Sequence, residues 1–152
     1  MNTSRPFQTF EDLEVYKTAR EFRKAMYKVA AKLPELEKFN LCSQIRRAAL
    51  SLTNNIAEGH GKFHYPDQIK FMLQSRGSLQ ELIDDLNTCE DEKYLLAAEL
   101  QAIRNQAWHV LKLLNGYLYF LRTQASSRSA LLHEEAVEYS LPTRPDVTHA
   151  TM

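Results

Sequence analysis

The spacing of apolar residues constrains this chain more than any other feature. Four stretches repeat them in alternating steps of three and four, the rhythm that keeps one stripe of an α-helix turned toward its neighbours. The first runs through Val15, Ala19, Phe22, Met26, Val29 and Leu33. The second takes Leu41, Ile45, Ala48, Leu52, Asn55 and Gly59, widened by Ile56. The third takes Ile69, Met72, Arg76, Leu79, Ile83 and Leu86. The fourth and longest takes Leu96, Leu100, Ile103, Ala107, Val110, Leu114, Tyr117 and Leu121. Four such stripes joined by short links predict an all-α fold, an antiparallel up-down-up-down four-helix bundle.

Local signals set the expected ends of the helices. The first spans residues 10–33 and closes at Pro34, because the residue before a proline avoids helical angles. Asn40 is placed to cap the second helix with its side chain. Gly59 and Gly61 are expected to end it through left-handed angles. Pro66 suits the first turn of a third helix over 66–88. Gly77 in its middle costs about 1 kcal/mol of propensity, which suggests a close helix approach there. The fourth helix is expected over 95–122. Residues 1–123 thus make the bundle, and 124–152 a polar, mobile C-terminal tail in which 130–139 could form a short helix.

Polar residues inside or beside the stripes carry a structural reading. Asn55 falls in a seam, where one buried amide can fix register. Arg47 and Glu58 share a flank and need partners wherever they are covered. Arg76 stands in the third stripe, and an ion pair with Glu58 or Glu81 is expected. Opposite the first stripe, Lys17, Arg20, Lys24 and Lys28 form a basic line about 15 Å long. With Arg46 on the outer side of the second helix, Lys17, Arg20 and Lys24 are the candidate contacts to a phosphate backbone, and Arg23 and Lys28 are secondary.

The fourth helix has more apolar residues than a core requires. Leu113 and Phe120 lie on one flank, and Trp108 and Tyr119 face outward. With Leu50 and Phe71 they are the candidate oligomer interface, since aromatic side chains favour such surfaces.

Composition narrows the classes. At 152 residues the chain suits one domain, and 4 Gly and 5 Pro suit long helices. Net charge is zero, yet residues 1–33 carry an excess of basic side chains and 65–94 an excess of acidic ones. Cys42 and Cys89 read as small core or boundary residues rather than a disulfide framework. No apolar run approaches a membrane span and the N-terminus has no apolar signal core, so a cytoplasmic location is expected. Phosphate-loop, dinucleotide-binding, zinc-protease and esterase motifs are missing. His60 and His64 flank a glycine and make a poor metal pair. No enzyme, metal or cofactor is expected.

Four pieces carry a family resemblance: FEDLEVYKTA at 10–19, SQIRRAALSLTNNIAEG at 43–59, RGSLQEL at 76–82, and Tyr94 with Leu95. On these the chain resembles the bacterial 23S rRNA intervening-sequence four-helix-bundle proteins. Its Ser51-Leu52-Thr53 departs from the serine-isoleucine-proline usual in the family, leucine and threonine replacing isoleucine and proline. The chain is also similar to accessory proteins of diversity-generating retroelements. That likeness implies a homopentamer that binds nucleic acid.

Two roles follow as expectations. One is a homo-oligomeric, pentameric, non-catalytic module contacting RNA or DNA through its basic helix faces. The other is a protein–protein scaffold with no nucleic-acid role.

Overall fold

A computed structural model describes residues 8–140 of the chain. The expectations that fall on 141–152 lie outside the described residues. Among those described there are four α-helices and no strands.

Thr9 starts the fold. Its N–H donates to Asp12 Oδ2 at 2.8 Å and its hydroxyl accepts from the Glu11 N–H at 3.2 Å, which sets the single-turn 3-10 helix Phe10–Asp12. Helix α1 follows at Glu14–Lys32 and stops at Leu33, ahead of Pro34. A second 3-10 turn, Glu35–Glu37, leads into α2 at Leu41–His60. Asn40 occupies the capping position, but its side chain makes no capping bond. Glu37 does that work instead: its Oε2 accepts from the Leu41 N–H at 3.2 Å, and its Oε1 accepts from the Tyr94 hydroxyl at 3.2 Å. A carboxylate one turn upstream reaches the free N–H that an asparagine was expected to serve, and it also favours the positive helix end.

Helix α3 spans Tyr65–Asp91 with Pro66 in its first turn. It ends in a Schellman turn: the Tyr94 N–H donates to Cys89 O at 2.9 Å and the Lys93 N–H to Glu90 O at 3.1 Å. Lys93 takes the left-handed angle there, at φ 58°. Helix α4 spans Ala97–Ser140. It does not stop near Arg122 as expected, and 130–139 belong to it rather than to a separate short helix. The stretch 123–140 holds no glycine or proline, so nothing in it breaks the helix.

Each helix packs on the next, and α4 closes the ring on α1. Cross-links run in opposite numerical senses along every contacting pair. Cys42 bonds to Ala30 O and Thr53 to Arg23 between α1 and α2. Leu52 O meets Ser75, and Arg47 meets Glu81, between α2 and α3. Arg104 meets Glu90, and Asn115 meets Arg76, between α3 and α4. Lys32 pairs with Glu99 between α1 and α4, while Leu113 and Tyr117 lie level with Leu13 and Val15.

The core follows the predicted stripes with two shifts. In α3 the fully buried line is Met72, Ser75, Leu79, Leu82, Leu86 and Cys89. Ile69, Arg76 and Ile83, expected there, are only half-buried. Two small serines inside the contact let α2 approach, so the true centre sits to one side of the expected stripe. In α4 Leu118 is fully buried, Tyr117 is half-buried, and Leu96 precedes the helix and is exposed. Both cysteines are buried and free.

The glycines act differently from expectation. Among the described residues none has a positive φ. Gly59 lies inside α2, and a Cβ there would stand 2.8 Å from Phe71 Cβ and 2.7 Å from Met72 Cε. It is present for space, not for backbone angle. At Gly77, expected at a close approach, an added Cβ would meet no neighbouring helix within 4 Å.

Candidate functional site

The basic face of α1 is real but partly neutralised. Lys17 pairs with Glu14 at 3.5 Å and Lys24 with Glu21 at 3.4 Å, each one turn back along the helix. Arg20 and Lys28 are exposed, with no acidic partner among the described residues. Arg23 is turned inward and donates to Thr53 Oγ1 at 2.9 Å, so its role is packing α1 to α2.

Arg46 is exposed on α2, at the rim of a hollow of about 200 Å³ lined also by Ala30, Pro34, Glu35, Lys38 and Cys42. Lys17 lines a different hollow, between α1 and α4, with Thr18, Glu21, Gln106 and His109. Thirteen residues of α1 separate Lys17 from Ala30, about 20 Å along the axis. The four candidate cations therefore form a band along the bundle and not a cluster.

The structural polar residues find partners other than those expected. Arg76 donates to Asn115 Oδ1 at 3.1 Å and makes no ion pair with Glu58 or Glu81. Glu81 is taken by Arg47 at 2.6 Å, and Glu58 lies 3.9 Å from Lys62. The reason is direction: Arg76 sits on the α4 side of α3, while both carboxylates belong to the α2–α3 side. Asn55 bonds back to Ser51 O at 2.8 Å within its own helix, so it does not bridge the seam.

The six apolar candidates occupy separate faces. Leu113 and Phe120 line a groove of about 450 Å³ between α1 and α4, with Leu13, Gly116 and Tyr117. There Phe120 stacks on Tyr117, ring centres 6.1 Å apart. Trp108 and Tyr119 are exposed on another face of α4, since helical geometry turns Phe120 about 120° from Trp108. Leu50 is exposed on α2, across the bundle from α4. Phe71 is half-buried, its Cβ packed against Gly59 and its ring 5.1 Å from Lys62 Nζ.

Sequence reasoning missed the buried polar end of the bundle. Glu37 is buried with its two bonds. Burial and the neighbouring Glu37 carboxylate raise the Tyr94 pKa. Asp85 has a buried Oδ2 without a hydrogen-bond donor. Burial first, then Glu81 and Asp84, push its carboxyl up to about 6, against a lowering pull from Arg47. Burial likewise pushes the Cys89 thiol up to about 11, so it stays protonated and unreactive at neutral pH. No group of three or more His, Cys, Asp or Glu side chains that could share a metal ion occurs among the described residues.

Comparison with known families matches residues 11–116 to the 23S rRNA-intervening sequence protein model. The chain belongs to that family. The match takes in Lys17, Arg20, Lys24 and Arg46 on the basic band, and Arg47, Asn55, Glu58 and Arg76 between the helices. Tyr119 and Phe120, and the outer part of α4, lie beyond it. Compared with curated proteins, the chain finds no match. No helix among the described residues is long and apolar enough to cross a membrane.

Proposed function

We propose that this family member is a self-assembling, non-catalytic bundle. Copies meet through the outer faces of α4, and the basic band of α1 and α2 contacts RNA or DNA. The observation that carries this reading is the apolar surface of α4. Trp108 is 51 % exposed and Phe120 49 %, and Leu113 and Phe120 wall an open groove. Side chains of this kind gain from being covered. Leu50 and Phe71 would serve a second contact on the far side, as a closed ring requires two different faces on each subunit. Five subunits is the number taken from the likeness to retroelement accessory proteins. Native mass measurement reads it directly, and a single-subunit mass at high concentration rejects assembly.

For the nucleic-acid contact, Arg20 and Arg46, and secondarily Lys28, are exposed cations of the band without an acidic partner among the described residues, and Lys17 and Lys24 are the weaker contributors. The same band repeated around a ring would add the contacts of each subunit. Binding of a structured RNA at low salt should fall steeply as salt rises. Arg20→Ala and Arg46→Ala should each lower affinity across sequences and flatten the salt slope by about one. No affinity tighter than about 10⁻⁴ M at low salt rejects the claim.

The second reading is a protein scaffold without a nucleic-acid role. The ion pairs at Lys17 and Lys24 favour it, because they partly neutralise half of the candidate phosphate contacts. Capture from lysate with and without nuclease separates the two. A cytoplasmic setting accords with either, since it keeps two free thiols reduced.

A further inference from the structure

Helix α4 outlasts the helices that cover it. Leu121 is the last buried side chain among those described, Gln124 and Ala125 are half-buried, and residues 126–137 are all exposed. The helix nevertheless continues to Ser140, about 28 Å past Leu121. A helical segment of that length without tertiary cover is marginal in water. One contact ties down its base: the Arg128 guanidinium lies 5.6 Å from the ring centre of Phe63, in the α2–α3 turn. Farther out, Leu131 and Leu132 are 61 % and 58 % exposed.

Charges flank those leucines in a particular order. Arg128 stands one turn before them and Glu135 one turn after. At about 100° per residue, all four side chains fall within one arc of about 100°. The face therefore reads basic, apolar, apolar, acidic.

We propose that the extension of α4 pairs antiparallel with the same segment of a second copy of this chain. A two-fold axis between Leu131 and Leu132 brings four leucines together. It also sets each Arg128 level with the other copy's Glu135, twice over. A parallel pair would place arginine against arginine and glutamate against glutamate. A nucleic acid laid on this segment would meet Glu134 and Glu135. The self-complementary order thus selects one occupant and one orientation. This contact uses none of the bundle-face residues assigned above, and it lies outside the part of the chain matched to the family.

The test uses the full chain and sedimentation velocity over a concentration series. Leu132→Asp should weaken the association of two copies at least ten-fold while leaving thermal unfolding of the bundle unchanged. Arg128→Glu should weaken it, and so should Glu135→Arg, which keeps the contact to Phe63. The double variant R128E/E135R should recover most of the loss. The two positions lie seven residues apart, about 10 Å along one helix, so rescue cannot arise within one chain. Unchanged association in Leu132→Asp overturns the proposal, and so does absence of rescue. Variants at Trp108 and Phe120 report the bundle-face contact separately. If they change nothing while Leu132→Asp lowers the mass, the pairing stands and the bundle-face reading fails.

Discussion

The α2–α3 and α1–α4 seams are built on opposite plans. Between α2 and α3 the contact is the most extensive in the bundle. Small side chains line it: Ser75 donates to Leu52 O at 2.6 Å, Ser78 to Ser51 Oγ at 2.8 Å, and Gly59 gives α3 room. Between α1 and α4 the contact is the least extensive of the four sides, and two hollows of about 450 and 340 Å³ open along it. A closed seam commits its surface to folding. An open seam leaves apolar surface for something else, so side-chain size, not greasiness, separates the two.

The sharpest way to break this contrast is to enlarge the closed seam. Gly59→Val would drive a branched side chain into Phe71 Cβ and Gln68 O, 2.8 and 3.3 Å from the new Cβ. Neither atom is a flexible chain end, so the helices must separate. Overpacking of this kind costs about 3 kcal/mol, read as a lower denaturant midpoint. An unchanged midpoint would show that α2 and α3 are not held so closely.

Next in size is the buried carboxyl of the closed seam. Asp85 has a folded pKa of about 6 against an ordinary 3.8, so the folded state holds the proton more tightly than the unfolded chain. Its contribution to stability is fully present below pH 4 and is lost as pH rises through 6. A displacement of that size corresponds to about 3 kcal/mol, and water reaching this half-buried group reduces it to about 1. Asp85→Asn should therefore stabilise the protein by about 1 kcal/mol at pH 7, and the gain should vanish near pH 4. Urea unfolding at both pH values checks the sign. An equal gain at both would assign the effect to something other than ionisation.

Much of this was legible in the spacing, and the exceptions share a cause. Helices α1 and α2 follow their predicted stripes except at Leu33 and Asn55, which are half-buried, because apolar periodicity and burial coincide over the rest. In α3 two stripes compete, sharing Met72, Leu79 and Leu86. The expected one adds Ile69, Arg76 and Ile83, while the buried one adds Ser75, Leu82 and Cys89. A serine in a seam looks like surface until the facing backbone is known. Gly59 was legible as special, but whether a glycine serves angle or space depends on what approaches it. Arg76 was legible as half-buried, yet its partner depends on which neighbouring helix it faces. The glutamates beside Lys17 and Lys24 were local signals, because three-residue spacing alone brings them together. Helix α4 beyond Arg122 was read as tail from its polarity, whereas its helix-forming residues and lack of breakers decided the outcome.

Ser75→Ala tests whether the polar atoms of the closed seam matter or only their size. Alanine keeps the close approach and removes the donor to Leu52 O, whose oxygen retains its place in α2. The expected loss is about 1 kcal/mol. No loss would mean that small volume alone holds the seam.

The smallest effect belongs to the open seam and has the opposite sign. Gly116 lies mid-helix in α4, exposed, on the wall of the α1–α4 groove, where an added Cβ would meet no neighbouring helix within 4 Å. Gly116→Ala should raise stability by about 0.5–1 kcal/mol, because alanine loses less backbone freedom on folding. The groove gives this substitution a second readout. If another copy seats against Leu113 and Phe120, the added methyl projects toward it and should weaken association even as the fold gains. Stability and association would then move apart, a separation no change inside the α2–α3 seam can produce. A loss of stability at Gly116 would instead mean that α1 lies against α4 as tightly as α3 lies against α2, and the distinction between the two seams would fail.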